Sequence, residues 1–398
     1  MTVGGLGEAG ILRILNRRFA AVPAADDWPE GTVGPGDDAA VVAAPDGRFV
    51  ITTDAMAQDR DFRMAWPAAD ARGAEGGAER GAEGGAGGGF AGGYSTGWKA
   101  AAQNLSDVNA MGADPSGLLL ALTMPPTTPV AWVDGLAAGL AGAVIHLGAD
   151  RCRVVGGDLG SDDRITLAVT ATGDLAGRPA LRRTLGTGGP GAPGGPARPP
   201  ADGGDPGLDL VLCGRAGWAA AGLDVLDTRR DELLRCLADA DADADAERAG
   251  RPGVRRTAAL AASAQLRPRP PLGAGRRAAE SGALAMMDLS DGLLKDAGRL
   301  AAANGLRAEL DADWVRAEAR PLEPLARALG RDAEDWVSAG GEDYGLLAVV
   351  PAGAEVPEGF RRAGRLTHRL PGSEQGSAEV TTTSGGWDHF TAPLGSQP

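Results

Sequence analysis

Carboxylates recur in this sequence beside glycines or at the ends of apolar runs. Asp37 and Asp38 stand in GPGDDAA, Asp54 closes FVITTD, and Asp158 lies in VVGGD. Asp288 and Asp291 flank Ser290 in MMDLSDG, and Glu342 and Asp343 follow a glycine pair in GGEDY. Carboxylates placed together repel one another unless a cation sits between them, and hard oxygen ligands suit Mg²⁺. Each stretch alone has an ordinary reading. Residues 34–54 fit two solvated acidic turns, Gly156–Asp158 fits a tight turn, and 288–292 fits a helix cap. Capping needs one oxygen-bearing side chain, not three, so the last stretch leans towards metal or phosphate ligands at a helix N-terminus. Together the acids describe a multi-metal site drawn from both halves of the chain, as expected where Mg²⁺ ions hold a nucleotide triphosphate. The sequence has no GxxxxGK[ST] loop, no kinase HRD or DFG set and no GxSxG elbow.

The elements that must position these residues are legible from pattern. Ala39–Ala43 and Phe49–Thr53 read as strands joined by a Pro45–Gly47 turn. Paired as a hairpin, they bring Asp37 or Asp38 close to Asp54. Residues 7–20 predict a short amphipathic helix. A longer helix follows, capped by Ser95 or Thr96, with Trp98, Ala101, Leu105 and Val108 on one face, and Gly112 and Pro115 ending it. Residues 117–124 and 164–172 predict strands, 130–149 a helix, and Arg153–Val155 a short strand ending at Gly156 and Gly157. Residues 208–214 form a strand and 216–226 a helix. The apolar entry at 286 leads to a helix that buries Leu293, Leu294, Ala297, Leu300 and Ala301 and stops at Asn304 and Gly305. Residues 70–93 are nearly all Gly, Ala, Glu and Arg and read as a disordered insertion. Residues 186–207 are Gly/Pro-rich, and 240–247 alternate as ADADADAE. The expected organisation is an N-terminal domain over 1–185, a linker or insertion over 186–207 and a C-terminal domain over 208–398.

Composition bounds the rest. With 398 residues there is length for two cores, and a net charge of −14 argues against a general attraction to nucleic acid. Basic charge is almost all arginine; Lys99 and Lys295 are the only lysines. Cys152, Cys213 and Cys236 are scattered, and His146, His368 and His389 are too dispersed to suggest a zinc site. No signal peptide and no membrane-length apolar run is found, so the expectation is a cytoplasmic protein with no membrane association.

GDDAA, TTD, NLSD-x-x-AMGA-x-P, GGD, MMDLSDGL, GGEDY and GWDHF stand here in the order seen in bacterial thiamine-monophosphate kinases. The chain resembles that family over nearly its whole length, apart from 70–93 and 186–207. NLSD-x-x-AMGA is shared with aminoimidazole-ribotide and selenophosphate synthetases, whereas GWDHF is more particular to the kinase. The resemblance implies an α/β, two-domain aminoimidazole-ribotide-synthetase-like fold whose N-terminal domains pair into a dimeric β-barrel. It implies ATP-dependent phosphorylation of thiamine phosphate, with several Mg²⁺ ions. Asp38, Thr52, Thr53, Asp54, Asp107, Asp158, Asp288 and Asp291 would be the metal ligands. Gly157, Asp158, Arg183 and Ser290 would meet ATP; Glu342 and Trp387 would hold the thiamine end. No side chain is expected as general base, because the acceptor phosphate is already largely ionised at neutral pH. The family usually carries His where this chain has Asp61, and a SGAKPGD run after the arginine that is Arg183 here. A selenophosphate synthetase would need a reactive Cys and a Lys near the N-terminus, yet Cys152 and Lys99 are the first of each. A hydrogenase-maturation enzyme would need a C-terminal cysteine. A non-catalytic nucleotide-binding relative finds its one support in Asp61.

Overall fold

A computed structural model describes residues 1–20, 44–66, 92–185, 207–228, 253–368 and 378–379. The expected strand Ala39–Ala43, Asp37, Asp38, Cys236, the 240–247 alternation, Trp387 and His389 lie outside the described residues, as do most of 70–93 and 186–207.

In the first half, α1 (Val3–Leu6) and α2 (Glu8–Phe19) precede β1 (Val50–Ala57), α3 (Gly93–Ala110), β2 (Asp114–Met124), α4 (Val130–His146), β3 (Arg153–Ser161) and β4 (Thr166–Asp174). The sheet order is β1-β4-β2-β3, with β1 and β2 antiparallel to β4 and β3 parallel to β2. Alternation dictates the two faces. Leu118, Leu120, Leu122 and Met124 of β2 are buried under α3 and α4, while Leu119 and Ala121 between them face outward. Glycine lets the two helices touch. A Cβ on Gly97 would lie 1.9 Å from the Leu136 carbonyl, and one on Gly139 would lie 1.8 Å from that of Tyr94.

In the second half come β5 (Leu208–Cys213), α5 (Trp218–Asp227), α6 (Val254–Leu266), α7 (Ala274–Glu280), β6 (Ala285–Leu289), α8 (Leu293–Ala302), β7 (Leu306–Leu310), α9 (Ala312–Ala319), α10 (Glu323–Leu329), α11 (Ala333–Ala339), β8 (Gly345–Pro351), β9 (Phe360–His368) and β10 (Ala378–Glu379). The mixed sheet runs β10-β7-β9-β5-β8-β6. Its main core is separate from the first but takes in Trp66, and a smaller cluster on the sheet packs Ala110 of α3 against Val211, Cys213 and Met286.

Helix α3 is the seam between the halves. The sequence gives it one apolar face, but Lys99, Gln103, Asn104, Ser106 and Asn109 are buried as well. The second half covers what would otherwise be the wet side. Trp98 Nε1 donates to the Pro268 carbonyl at 2.8 Å, and Asn109 Oδ1 accepts from Gly275 N at 2.9 Å.

Two expectations are corrected. Helix α3 begins at Gly93 after Gly92, with no side-chain cap from Ser95 or Thr96, so the insertion yields its last residues to the helix. Strand β3 does not end at the glycine pair. It continues to Ser161, because a Cβ on Gly157 would sit 2.0 Å from the Leu120 carbonyl; the glycine serves close strand packing.

Candidate active site

Three acids from distant stretches are gathered along α3. Thr52 and Asp54, alternate residues of β1, share one sheet face. Thr52 Oγ1 donates to Asp107 Oδ2 at 2.6 Å, and the Asp54 amide donates to Asn104 Oδ1 at 3.1 Å. From the other half, Asp288 at the end of β6 accepts a hydrogen bond from Ser106 Oγ at 3.3 Å. Burial pushes the Asp107 carboxyl above its usual range, against the opposing pull of the Thr52 hydroxyl and the Arg183 charge. Asp288 is pushed up further. Burial is the largest cause, followed by the negative charges of Asp107 and Asp296, while Arg183 lowers it and Asp54 adds to the rise. The site is a carboxylate crowd short of positive charge.

Ser290 to Gly292 form the turn between β6 and α8. Their order comes from a residue one turn into that helix: Asp296 Oδ2 accepts from Ser290 N at 3.0 Å and Asp291 N at 2.8 Å. Burial pushes Asp296 up to about 6, against these amides and Arg299. Thus the cap that the sequence left open to Asp288, Ser290 or Asp291 falls on another residue. Asp296 satisfies the amides, and Asp288 turns to α3.

The GGEDY loop lies against this turn, with Glu342 N donating to the Ser290 carbonyl at 2.7 Å and Tyr344 N to that of Leu289 at 2.9 Å. Glu342 and Tyr344 have φ of 67° and 51°, left-handed conformations that side-chain-bearing residues rarely adopt and that cluster at functional sites. Both Glu342 oxygens are engaged. Lys99 Nζ lies 2.6 Å from Oε1, and Gln265 Nε2 donates to Oε2 at 2.5 Å. Lys99 also donates to the Asp61 carbonyl at 3.0 Å. These groups border a cleft lined by Asp61, Phe62, Trp66, Ser95, Lys99 and Gln265. Asp343 turns the other way, where its carboxylate accepts from Gly217 N at 2.6 Å and Ala219 N at 2.9 Å at the start of α5.

Not every residue singled out by sequence joins the cluster. Thr53 lies on the outward sheet face, donating to the Val169 carbonyl at 3.1 Å. Asp158 is exposed, in register with Ala121 of β2 and hence Ala168 of β4, on that same outward face. Two strands separate it from β1, roughly 14 Å at ordinary strand spacing. Asp291 Oδ2 is paired with Arg299 at 2.5 Å and Lys295 at 3.2 Å on its own helix. Asp61 is half-buried at the cleft, its Oδ2 accepting from Ala57 N at 2.8 Å. Among the described residues, no three His, Cys, Asp or Glu side chains converge as a ready metal cage. Lys99, Gln265, Asp296 and Asn304 were missed by sequence reasoning. One signal for Lys99 was present: in a chain whose basic charge is arginine, the two lysines both pair with motif acids, Lys99 with Glu342 and Lys295 with Asp291.

Comparison with known proteins sets this geometry in a family. Residues 36–175 match the AIR synthase related protein N-terminal domain, and residues 244–367 match its C-terminal domain. A thiamine-monophosphate kinase of Mycobacterium tuberculosis is 33% identical over 361 residues, covering 91% of this chain and 86% of its own. That of Corynebacterium glutamicum is 32% identical, covering 92% and 88%. Among solved structures, thiamine-monophosphate kinase from Stenotrophomonas maltophilia is 26% identical with a TM-score of 0.58, covering 92% of this chain and 95% of that one. AaThiL complexed with AMPPCP and TMP shares the fold at 21% identity and a TM-score of 0.56, covering 98% and 99%.

Proposed function

The chain belongs to the thiamine-monophosphate kinase family, and from that premise we infer how it performs the family's reaction. It transfers the γ-phosphoryl group of ATP to thiamine phosphate, giving thiamine diphosphate and ADP. The observation that carries the reading is that Asp107 of α3 meets Thr52 of β1 while Asp288 of the second half meets Ser106 beside it, with Arg183 the cation that opposes the charge of both acids.

The acceptor is a phosphate with a second pKa near 6, so it is already an anion at neutral pH and needs no side-chain base. The difficulty is repulsion between two anions. The donor set fits Mg²⁺: Asp54, Asp107, Asp288 and Thr52 offer only oxygen, and their crowding is relieved by a divalent cation. Family resemblance adds Asp38 and Asp291 to the residues that would hold the ions, whereas Thr53 and Asp158, on the outward sheet face, stand apart from them. When bound, Mg²⁺ supplies charge neutralisation of the transferring phosphoryl oxygens. Arg183 offsets charge on the ATP phosphates, and Ser290 and Gly157 contact the nucleotide. The thiamine end lies in the cleft beside Asp61, where Glu342 supplies a carboxylate for the cationic ring; family resemblance adds the indole of Trp387.

We further propose that the linker at 186–207 divides two domains, that the outward face of β1-β4-β2-β3 pairs two chains into a dimer, and that the enzyme works in the cytoplasm. No described helix is long and apolar enough to cross a membrane.

A turnover assay with ATP, Mg²⁺ and thiamine phosphate, read as thiamine diphosphate formed, tests the activity. Failure with thiamine phosphate alongside turnover of another phosphorylated acceptor would overturn the substrate assignment. An isolable ³²P-enzyme, formed from γ-labelled ATP and discharged by thiamine phosphate, would overturn direct transfer.

A further inference from the structure

Arg183 stands on a segment that crosses from one half of the molecule to the other. Leu181 N donates to the Met111 carbonyl at 3.2 Å, just past α3, and the Arg182 carbonyl accepts from Met286 N at 3.0 Å on β6. The next two peptides belong to no strand or helix. One carbonyl and one amide of theirs are met by a single side chain, Asn304, at the end of α8. Asn304 Nδ2 donates to the Arg183 carbonyl at 2.9 Å and to the Leu300 carbonyl at 2.7 Å, while Oδ1 accepts from Leu185 N at 2.6 Å. A side-chain amide offers a donor edge and an acceptor edge in a single plane. The bond to Leu300 fixes that plane on the helix, and the other two fix the loop on it.

We propose that Asn304 is a positioning residue for phosphoryl transfer, holding the 183–185 backbone so that the Arg183 guanidinium stays on the side of Asp107 and Asp288. The inference rests on the reading of Arg183 as the arginine that meets ATP phosphates. From sequence, Asn304 is only the residue before a helix-stopping glycine. A stop signal needs neither of the two bonds it makes to residues more than a hundred positions away. Without the clamp, Arg183 would still be present, but its backbone would have no fixed partner, and the electrostatic contribution of a cation depends on its being preorganised.

The test uses the full-length enzyme carrying Asn304→Ser, Asn304→Asp, Arg183→Ala, or both Arg183→Ala and Asn304→Ser. Serine is too short to reach the loop; aspartate keeps an acceptor for Leu185 but turns lone pairs on two carbonyls. Steady-state kinetics and the Kd for a non-hydrolysable ATP analogue with Mg²⁺ are measured alongside circular dichroism. We expect Asn304→Ser to lower kcat/KM for ATP by about tenfold and weaken the analogue to match, with Asn304→Asp lower still. KM for thiamine phosphate should move less than about twofold. The double variant should be no worse than Arg183→Ala alone, because a clamp acting through Arg183 has nothing left to position. If Arg183→Ala is impaired while Asn304→Ser matches wild type, or if the two losses multiply, the clamp is overturned and the Arg183 reading stands. If Arg183→Ala leaves ATP kinetics and analogue affinity unchanged, the Arg183 reading fails and the clamp with it.

Discussion

Lys99 Nζ lies 2.6 Å from Glu342 Oε1, joining the seam helix of the first half to the strained loop of the second. With 5% of the Lys99 side chain exposed, this is a nearly dry ion pair, and Gln265 occupies the carboxylate's second oxygen. The acid proposed to face a cationic ring is therefore paired in the free protein. A positively charged substrate must share Glu342 with Lys99 or loosen it.

Removing one partner of such a pair strands the other. Lys99→Met should cost about 3 kcal/mol of unfolding free energy, since Glu342 then keeps a charge with no cation beside it. Adding Glu342→Gln should restore much of that loss while leaving turnover low. Urea unfolding of the single and double variants reads this directly. A Lys99→Met protein as stable as wild type would show that the pair is not formed in solution.

Asp288 presents the opposite case, a carboxylate the fold would hold more easily neutral. Burial, Asp107, Asp296 and Asp54 all act against its charge. In the absence of divalent cation, Asp288→Asn should unfold at the same temperature as wild type or higher. Its turnover with Mg²⁺ should fall by roughly 10²–10³, the range for losing one preorganised electrostatic contact. Calorimetry without cation and initial rates with it supply the two numbers. A variant that loses stability and keeps its rate would assign Asp288 to structure alone.

Those acids were legible in sequence for a physical reason. Asp288 and Glu342 stand where an apolar run ends or a glycine pair breaks it, and such positions are where side chains leave the core; Asp54, read as a strand end, instead lies inside β1, which runs on to Ala57. Asp107 was readable only because NLSD recurs in a known motif. Its helix has no local feature to set it apart. Lys99 and Gln265 look like solvated positions on alanine-rich helices until the two halves meet around Glu342. Asp296 and Asn304 act on backbone groups of turns, and turns leave no periodic trace. The strand running through Gly156 and Gly157 was misread because glycine signals both a turn and a close approach. The choice lay with Leu120, nearly forty residues away.

Asp343 gives a prediction in pH. It receives the first amides of α5, where Gly217 has no side chain to cap with, yet burial outweighs those bonds and pushes its carboxyl up to about 7 from 3.8. An acid raised in the folded state stabilises the fold fully below the unfolded value. As pH rises, the unfolded carboxyl ionises first while the folded one keeps its proton, so stability falls until about pH 7 and then levels. The slope from this group cannot exceed ~1.4 kcal/mol per pH unit. Denaturant unfolding of wild type and Asp343→Asn across this range should show wild type losing ground to the variant as pH rises. A gap that stays constant, or moves towards wild type, would contradict the assignment.

The outward face of the first sheet carries the last prediction. Ile51 and Thr53 alternate on β1, and in register beside them run Thr172 and Thr170 of β4 and Leu119 of β2. Ile51 is 62% and Leu119 38% exposed in the single chain. A sheet face meant for water would carry polar residues at those two positions, since alternation already supplies the buried side with Leu118, Leu120 and Leu122. In the proposed dimer a second copy of the same face would cover them by the simplest symmetric contact, each chain offering the other the same strands. Ile51→Lys places a charge at the middle of that contact and leaves the monomer's own core untouched. Light scattering after size exclusion should give wild type a mass of two chains and the variant a mass of one, with unchanged circular dichroism. A wild-type protein that runs as one chain at micromolar concentration, or an Ile51→Lys protein that still runs as two, would place the contact elsewhere.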